Sequence, residues 1–309
     1  MLTFLLRRIV ATLPALLGVT FFSFMLLYLA PGDPTSIILG MEWSPERATQ
    51  LRKDLGLDLP IAVQYLSWLG RVVQGDFGLA YVSREPVLKM LIDRLPDTLA
   101  LSAGAMFCAV MVAIPLGSVS ALRKDSWVDT ISRVVAVLGI SMPVFWFGML
   151  LILLFAVVLR VLPPGGGIDQ YGLKALILPS VALGMSLAAL LTRITRASMV
   201  EVLQLDHIRT AKAKGLKQWR IVFKHALKNA LIPVVTVLGL QSGYLLSGAV
   251  LTETVFSLPG VGRLLYTSIL NRDYLVLQGA TLFVCLAMVA INLAVDFVYA
   301  AIDPRIRYA

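Results

Sequence analysis

From Val134 to Leu159 the sequence reads VVAVLGISMPVFWFGMLLILLFAVVL, 26 residues without a charged side chain. A helix rises about 1.5 Å per residue and a hydrocarbon core is about 30 Å thick, so about 20 mostly apolar residues cross it. The run is apolar on every face instead of striped at the helical period, as surroundings of lipid or neighbouring helices require. Five more charge-free runs of 18 or more residues occur in the 309-residue chain, at 9–32, 98–122, 175–192, 229–252 and 274–295. The chain is 58% hydrophobic and 15% charged, against about 45–50% and about 25% for a soluble domain. An ordinary cytosolic enzyme is excluded. The expected fold is an all-α integral membrane protein with six transmembrane helices.

The spans are placed at 9–30, 98–122, 134–159, 175–192, 229–252 and 274–300, within one membrane domain covering 1–309. The fourth run is the shortest and carries Pro179, Ser180, Gly184 and Ser186, so a short or broken span stands beside a continuous one. Without it the number of crossings becomes odd. The first run follows Arg7 and Arg8 as a signal peptide would, but it exceeds the about 7–15 apolar residues of such a segment and lacks a small-residue cleavage site, so it reads as an uncleaved span. Cys108 and Cys285 both fall inside apolar runs, where a packing role is expected.

Charge sorts the loops into two groups. The N-terminus, the 123–133 and 193–228 loops and the C-terminal tail hold 16 Lys/Arg against 5 Asp/Glu, whereas 33–97, 160–174 and 253–273 hold 11 against 12. The positive-inside rule then puts both termini in the cytoplasm. The net charge of +9 is thereby a topological signature and no sign of nucleic-acid binding. The 33–97 segment is expected to be an external helical cap. Ser44-Pro45-Glu46 marks a helix start, Leu51 and Leu55 share a face and Gly56 is a stop, and a second helix follows Pro60, burying Ile61, Tyr65, Leu66, Leu69 and Val73.

Chemistry is sparse where an enzyme or ion-coupled carrier would need it. The charge-free runs hold no Asp, Glu, His or Arg, and Asp296, one turn beyond Asn292, sits near a span end where a structural role is expected. His207 and His225 lie in the 193–228 loop, away from any intramembrane metal site, and no Gly-Lys dipeptide exists to form a Walker A loop. A passage can still be lined by backbone freed at Pro14, Pro115, Pro143, Pro179 and Pro233. Thr236, Gly239, Gly243 and Ser247 form a small-residue stripe on the fifth span. It is either a pathway or subunit interface or ordinary packing within the chain.

The 193–228 loop is the most informative segment. In Asp206-His-Ile-Arg-Thr-Ala-Lys-Ala-Lys-Gly215, Asp206 is expected to cap a short helix and Gly215 to end it in a left-handed conformation. A second helix near Lys217 leads through Trp219, Ile221, Val222 and Phe223 into the fifth span. Such an element can transmit a push from a soluble partner; a basic loop lying on anionic lipid is the alternative.

Arg209-Thr-Ala-Lys-Ala-Lys-Gly-Leu216 followed by His225-Ala-Leu-Lys-Asn-Ala-Leu-Ile-Pro233 resembles the EAA loop of ABC-importer permeases, in the dipeptide/oligopeptide/nickel branch. Pro31-Gly-Asp-Pro34, Gly75-Asp-Phe-Gly78, Thr252-Glu-Thr-Val-Phe-Ser-Leu-Pro-Gly-Val-Gly262, Arg272-Asp-Tyr274 and Asp303-Pro-Arg305 extend the resemblance over essentially the whole chain, closest to the first, dipeptide-permease-like subunit. Arg209-Thr210-Ala211 stands where the general motif has Glu-Ala-Ala, and His225-Ala226-Leu227-Lys228 replaces its I-x-L-P, which weakens transfer of a glutamate-based contact.

The resemblance implies a type I ABC-importer permease in a bacterial inner membrane, with both termini inside. It would supply half of a peptide pathway beside a homologous second permease. Two ATP-binding cassette ATPases would hold ATP and Mg, no cofactor residing in this chain. A periplasmic or lipid-anchored binding protein would dock outside. Asp206, His207, Arg209, Thr210, Ala211, Lys214 and Gly215 are the expected ATPase contacts, and Glu253, Phe256, Pro259, Gly260 and Gly262 the expected gate or binding-protein contacts, with simple loop closure as the alternative for this turn. Glutathione or a nickel complex are the alternative substrates. A stand-alone channel or facilitator, or a membrane-bound enzyme, is the alternative from another class.

Overall fold

The computed structural model describes residues 2–302 except 30–34, 36–38, 40–42 and 55. Pro31-Gly-Asp-Pro34, Leu55 and Asp303-Pro-Arg305, and the side chains of Arg7, Arg8, Leu51, Ser247 and Asp296, lie outside the described residues. Within them the long elements are all helical: α1 (Leu2–Leu29), α2 (Pro45–Asp54), α3 (Ile61–Val73), α4 (Val87–Leu122), α5 (Trp127–Ser141), α6 (Val144–Val158), α7 (Lys174–Val202), α8 (Asp206–Ala213), α9 (Leu227–Val255), α10 (Val261–Leu270) and α11 (Tyr274–Ile302). α9 is entered through one short turn, Gln218–Arg220, and a π-helical stretch, Ile221–Ala226.

Packing is organised around α7, most of which is buried, and its principal neighbour is α4. Leu101, Ala105, Ala109, Ala113, Gly117 and Ala121 recur every fourth residue on α4, and all are buried. The backbones approach so closely that a Cβ on Gly104 would lie 2.3 Å from Ser180 Oγ, and one on Gly184 2.5 Å from the Ala105 carbonyl. Between apolar helices in lipid, close packing and not water exclusion drives association, so small residues belong at this seam. The fourth run therefore forms neither a short nor a broken span: it is the first part of a continuous 29-residue helix.

Pro14, Pro115, Pro179 and Pro233 all lie inside helices that continue through them, which corrects the expectation of breaks there. Pro143 alone of the five coincides with one. The 134–159 run is not a straight crossing, because α5 and α6 meet there at 103°. Met142 is extended (φ −80°, ψ 128°), as steric conflict with the following proline ring favours. Among the described residues, four helices have the length and apolar character of a membrane span, five if the bent pair is one span, and Thr12–Leu26 in α1 is a shorter apolar segment.

The loops gather at two ends in the groups that charge had sorted. At the basic end, Ala121 of α4 and Met199 and Val202 of α7 share a core with Ile208, Ala211, Ile221, Val222 and Ala226. At the opposite end, Ala80, Val87 and Leu91 pack with Val261, Leu264 and Val276. The cap helices start and stop as expected: Arg47 N donates to Ser44 Oγ at 3.2 Å, and Gly56 ends α2 at φ +67°. The buried face of α3 differs. Gln64 and Trp68 point inward toward Phe24, with Tyr65, Leu69 and Val72 partly covered, whereas Ile61, Leu66 and Val73 are exposed. Gln64 is drawn inside by the carbonyls of Leu57 and Leu59, to which its amide donates at 3.1 and 2.8 Å.

Candidate functional site

At the basic end, α8 is a two-faced rod. Its apolar side, Ile208 and Ala211, is buried against α7 and the π-helical stretch, while Asp206, His207, Arg209, Thr210, Lys214 and Gly215 are exposed. Of the seven residues expected to meet an ATPase, Ala211 thus faces this chain's own core. Asp206 is the first helical residue and not the cap; extended Leu205 holds the cap position without a side-chain bond. The Asp206 carboxylate still complements the helix dipole from the first turn, and it accepts from Arg209 Nη1 at 3.4 Å. Gly215 closes the rod as expected, at φ +70°, its N–H donating to the Lys212 carbonyl while Leu216 N–H reaches back to Ala211.

At the opposite end, the Thr252–Gly262 motif folds into the interior. Glu253 is fully buried, and its carboxylate accepts from Thr98 Oγ1 at 2.6 Å and from the Arg263 N–H at 2.9 Å, with a further bond from the Gly262 N–H. Thr98 Oγ1 in turn accepts from the Val261 N–H at 2.9 Å. Glu253 and Thr98 together satisfy the free N–H groups that open α10, an internal use of a helix N-terminus as an anion site. No room is left for a side chain at Gly260, whose Cβ would fall 2.2 Å from Glu253 Cδ. Phe256 plugs the space between α6, α7 and the 163–167 loop; its carbonyl accepts from the Gly166 N–H at 2.9 Å, and a Cβ on Gly165 would lie 2.0 Å from that oxygen.

This burial corrects one part of the expectation for that turn. Glu253, Phe256, Gly260 and Gly262 present no surface to a docking protein, and Pro259 is half-buried. The motif is an internal fastener joining α4, α9, α10 and the 163–167 loop. Nearby, Asp273 caps α11 through the Val276 N–H and holds the Val82 N–H at 3.2 Å, fixing the 79–86 hairpin. Burial, and then the Asp273 carboxylate, push the Tyr81 phenol up to about 12, so it stays protonated at any physiological pH.

The fifth-span stripe is divided. Gly239 and Gly243 are buried, and the space beyond Gly243 is taken by Met288 and Asn292 of α11 at 3.5 and 3.7 Å; Thr236 is half-buried and bonds its own helix at the Ile232 carbonyl. Own-chain packing accounts for Gly243. Thr98, the partner of Glu253, carries no mark in the sequence, because nothing in linear sequence connects positions 155 apart. The α4 stripe was detectable as a four-residue recurrence of small side chains.

The family described as "Binding-protein-dependent transport system inner membrane component" matches residues 113–308, and its N-terminal companion matches residues 1–102. The glutathione transport system permease protein GsiC of Escherichia coli (strain K12) is 44% identical over all of both chains. The dipeptide transport system permease protein DppB of the same strain is 41% identical over 100% of this chain and 99% of its own. A chain of the MetNI methionine ABC transporter, solved in an inward-facing conformation, superposes with a TM-score of 0.59 at 18% identity, covering 69% of this chain and 96% of that one.

Proposed function

This chain belongs to the binding-protein-dependent transport system inner membrane component family, the non-catalytic permease subunits of ABC importers, and on that premise we propose that it forms half of a peptide-import pathway. ATP hydrolysis falls to partner ATPases, which bind ATP and Mg, and a homologous second permease completes the passage. A periplasmic or lipid-anchored binding protein delivers substrate to the end carrying the cap and α10. Both termini lie in the cytoplasm, where the 16 basic residues gather.

The observation that carries the reading is α8: a rod with a polar face outward, seated through Ile208 and Ala211 on the end of α7 and the start of the fifth span. In this reading Asp206, His207, Arg209, Thr210, Lys214 and Gly215 enter a cleft of one ATPase, while Ala211 anchors the rod behind them. Closure of the ATPases on ATP pushes α8, and the push passes through the buried seat into the helix bundle. At the other end the Glu253 fastener keeps α4, α9 and α10 together as one body, so that the outer gate opens between bodies and not within one. Energy comes from outside the chain.

Dipeptides and glutathione, a tripeptide, are the substrates supported by the two relatives. The test is reconstitution with the second permease, the ATPases and the binding protein in proteoliposomes, followed by ATP-dependent uptake of a labelled dipeptide and of labelled glutathione. Accumulation of either only with ATP and all partners supports the reading. Passage through this chain alone without ATP would instead make it a facilitator.

A further inference from the structure

Asp129 is fully buried at the basic end, and nothing in the account of transport has used it. Its carboxylate takes both prongs of the Arg196 guanidinium, Nε to Oδ1 at 2.6 Å and Nη2 to Oδ2 at 2.7 Å. Ser120 Oγ donates to Oδ1 at 2.6 Å and the Asp125 N–H to Oδ2 at 3.0 Å. Arg133, four residues on, stands 3.9 Å away. Three elements meet here: the last turn of α4 at Ser120, the first turn of α5 at Asp129, and α7 at Arg196. Arg196 lies one turn before Met199, which belongs to the core that seats α8.

The rest of α5 is mostly uncovered. Asp129 and Ala136 are its buried residues, whereas Ile131, Val134, Val135, Val137, Leu138 and Ile140 are all exposed. Beyond the joint, α5 touches α7 where Gly139 approaches Ala189, α6 touches it where Gly148 approaches Ala182, and between these contacts a cavity of about 160 Å³ opens at the 103° bend. A buried ion pair is weak evidence of stability, since desolvation offsets much of its attraction, but a forked arginine fixes orientation strongly. A tie of this kind makes a stiff joint at the root of α5, whose outer face is uncovered, while α6 is packed through Gly148 and Leu151 against α7 and Phe256.

We propose that the Asp129–Arg196 pair is the positioning joint through which displacement of α8 and α7 is passed to the bent α5–α6 arm. The inference rests on the reading of the chain as an ATP-driven permease. If the α8 seat moves, Arg196 moves with it, and α5 follows because its root is held at both carboxylate oxygens. Without the joint, the ATPases would still drive α8, but the root of α5 would no longer be held in a fixed orientation to α7, and the bend would not be driven with it.

The test uses the reconstituted complex. Arg196→Gln is expected to keep ATPase activity within about twofold and to lower probe uptake per ATP hydrolysed at least about tenfold, the probes being the labelled dipeptide and glutathione. Arg196→Lys keeps the charge but not the fork and should recover part of the ratio. In a Cys108→Ala/Cys285→Ala background, Asp129→Cys/Arg196→Cys bridged by a short bis-methanethiosulfonate should regain the wild-type ratio, and reductant should abolish it. Hydrogen exchange of residues 127–158 under ATP–vanadate trapping judges the joint without substrate: a change in the wild type and none in Arg196→Gln is expected. The proposal is overturned if both trap alike, if uptake and hydrolysis fall in parallel, or if bridging restores nothing. A wild type that hydrolyses ATP and accumulates neither probe refutes the functional reading alone, since the exchange comparison still decides the joint.

Discussion

Gly215 and Gly260 are both glycines for reasons the structure makes separate. At Gly215 the backbone sits at φ +70° and a Cβ would meet nothing within 4 Å. The cost of a side chain there is conformational alone, about 1–2 kcal/mol for a left-handed non-glycine residue. Gly215→Val is therefore expected to leave the complex assembled while deforming the end of α8, lowering uptake per ATP, whereas Gly215→Asn, tolerated in that conformation, should do less. Measuring both variants for uptake and hydrolysis checks this; equal, wild-type ratios would remove Gly215 from the coupling element. At Gly260 the obstacle is the Glu253 carboxylate at 2.2 Å, so Gly260→Ala should cost about 1–3 kcal/mol by overpacking and lower the thermal unfolding temperature. Glu253→Gln, which turns one acceptor toward N–H donors, should cost about as much through unpaired buried groups.

At the scale of elements, the α4–α7 seam and the α9 stripe look alike in sequence but differ in packing. A Cβ on Gly184 would lie 2.5 Å from the Ala105 carbonyl, whereas one on Gly243 would find its nearest neighbour at 3.5 Å. Gly184→Ala should thus push the two principal helices apart and reduce the folded yield in detergent, while Gly243→Ala should fold as the wild type. Comparable yields for the two would mean that the seam is looser than its glycines imply. The apolar pattern marked the four helices that are long and apolar enough to cross a membrane, because hydrocarbon demands about 20 uncharged residues whatever the tertiary fold. It was blind to the bend at Pro143, because four other prolines of similar setting lie within continuing helices. A helix can absorb a proline when neighbours satisfy the freed carbonyl, and neighbours are not written locally. On α3 the same limitation shifted the buried face: Tyr65 and Leu69 are partly covered as expected, but Gln64 is buried because two carbonyls await it, while Ile61, Leu66 and Val73 are exposed.

For the whole molecule, the two groups of loops that charge separated are also two groups in space, with Ile208 and Ala211 at one end and Val261 and Leu264 at the other. If the basic end is cytoplasmic, a cysteine at exposed Lys212 should react with an impermeant maleimide only in inverted membrane vesicles, and one at exposed Ser257 only in spheroplasts. Reaction of both from one side would overturn the orientation. The amino-acid sequence by itself determined the class of molecule: runs without charge as long as a membrane is wide mark an integral membrane chain, and its loop motifs carry the resemblance to the permease family to which it belongs. It also marked Gly215, because a left-handed helix end is a local requirement. Tertiary structure alone decided that Glu253, Phe256, Gly260 and Gly262 fasten the interior, that Ala211 faces inward, and that Asp129 meets Arg196. Those outcomes depend on which carbonyls, hydroxyls and backbones arrive from distant parts of the chain, and burial makes each such meeting obligatory only after the helices have packed.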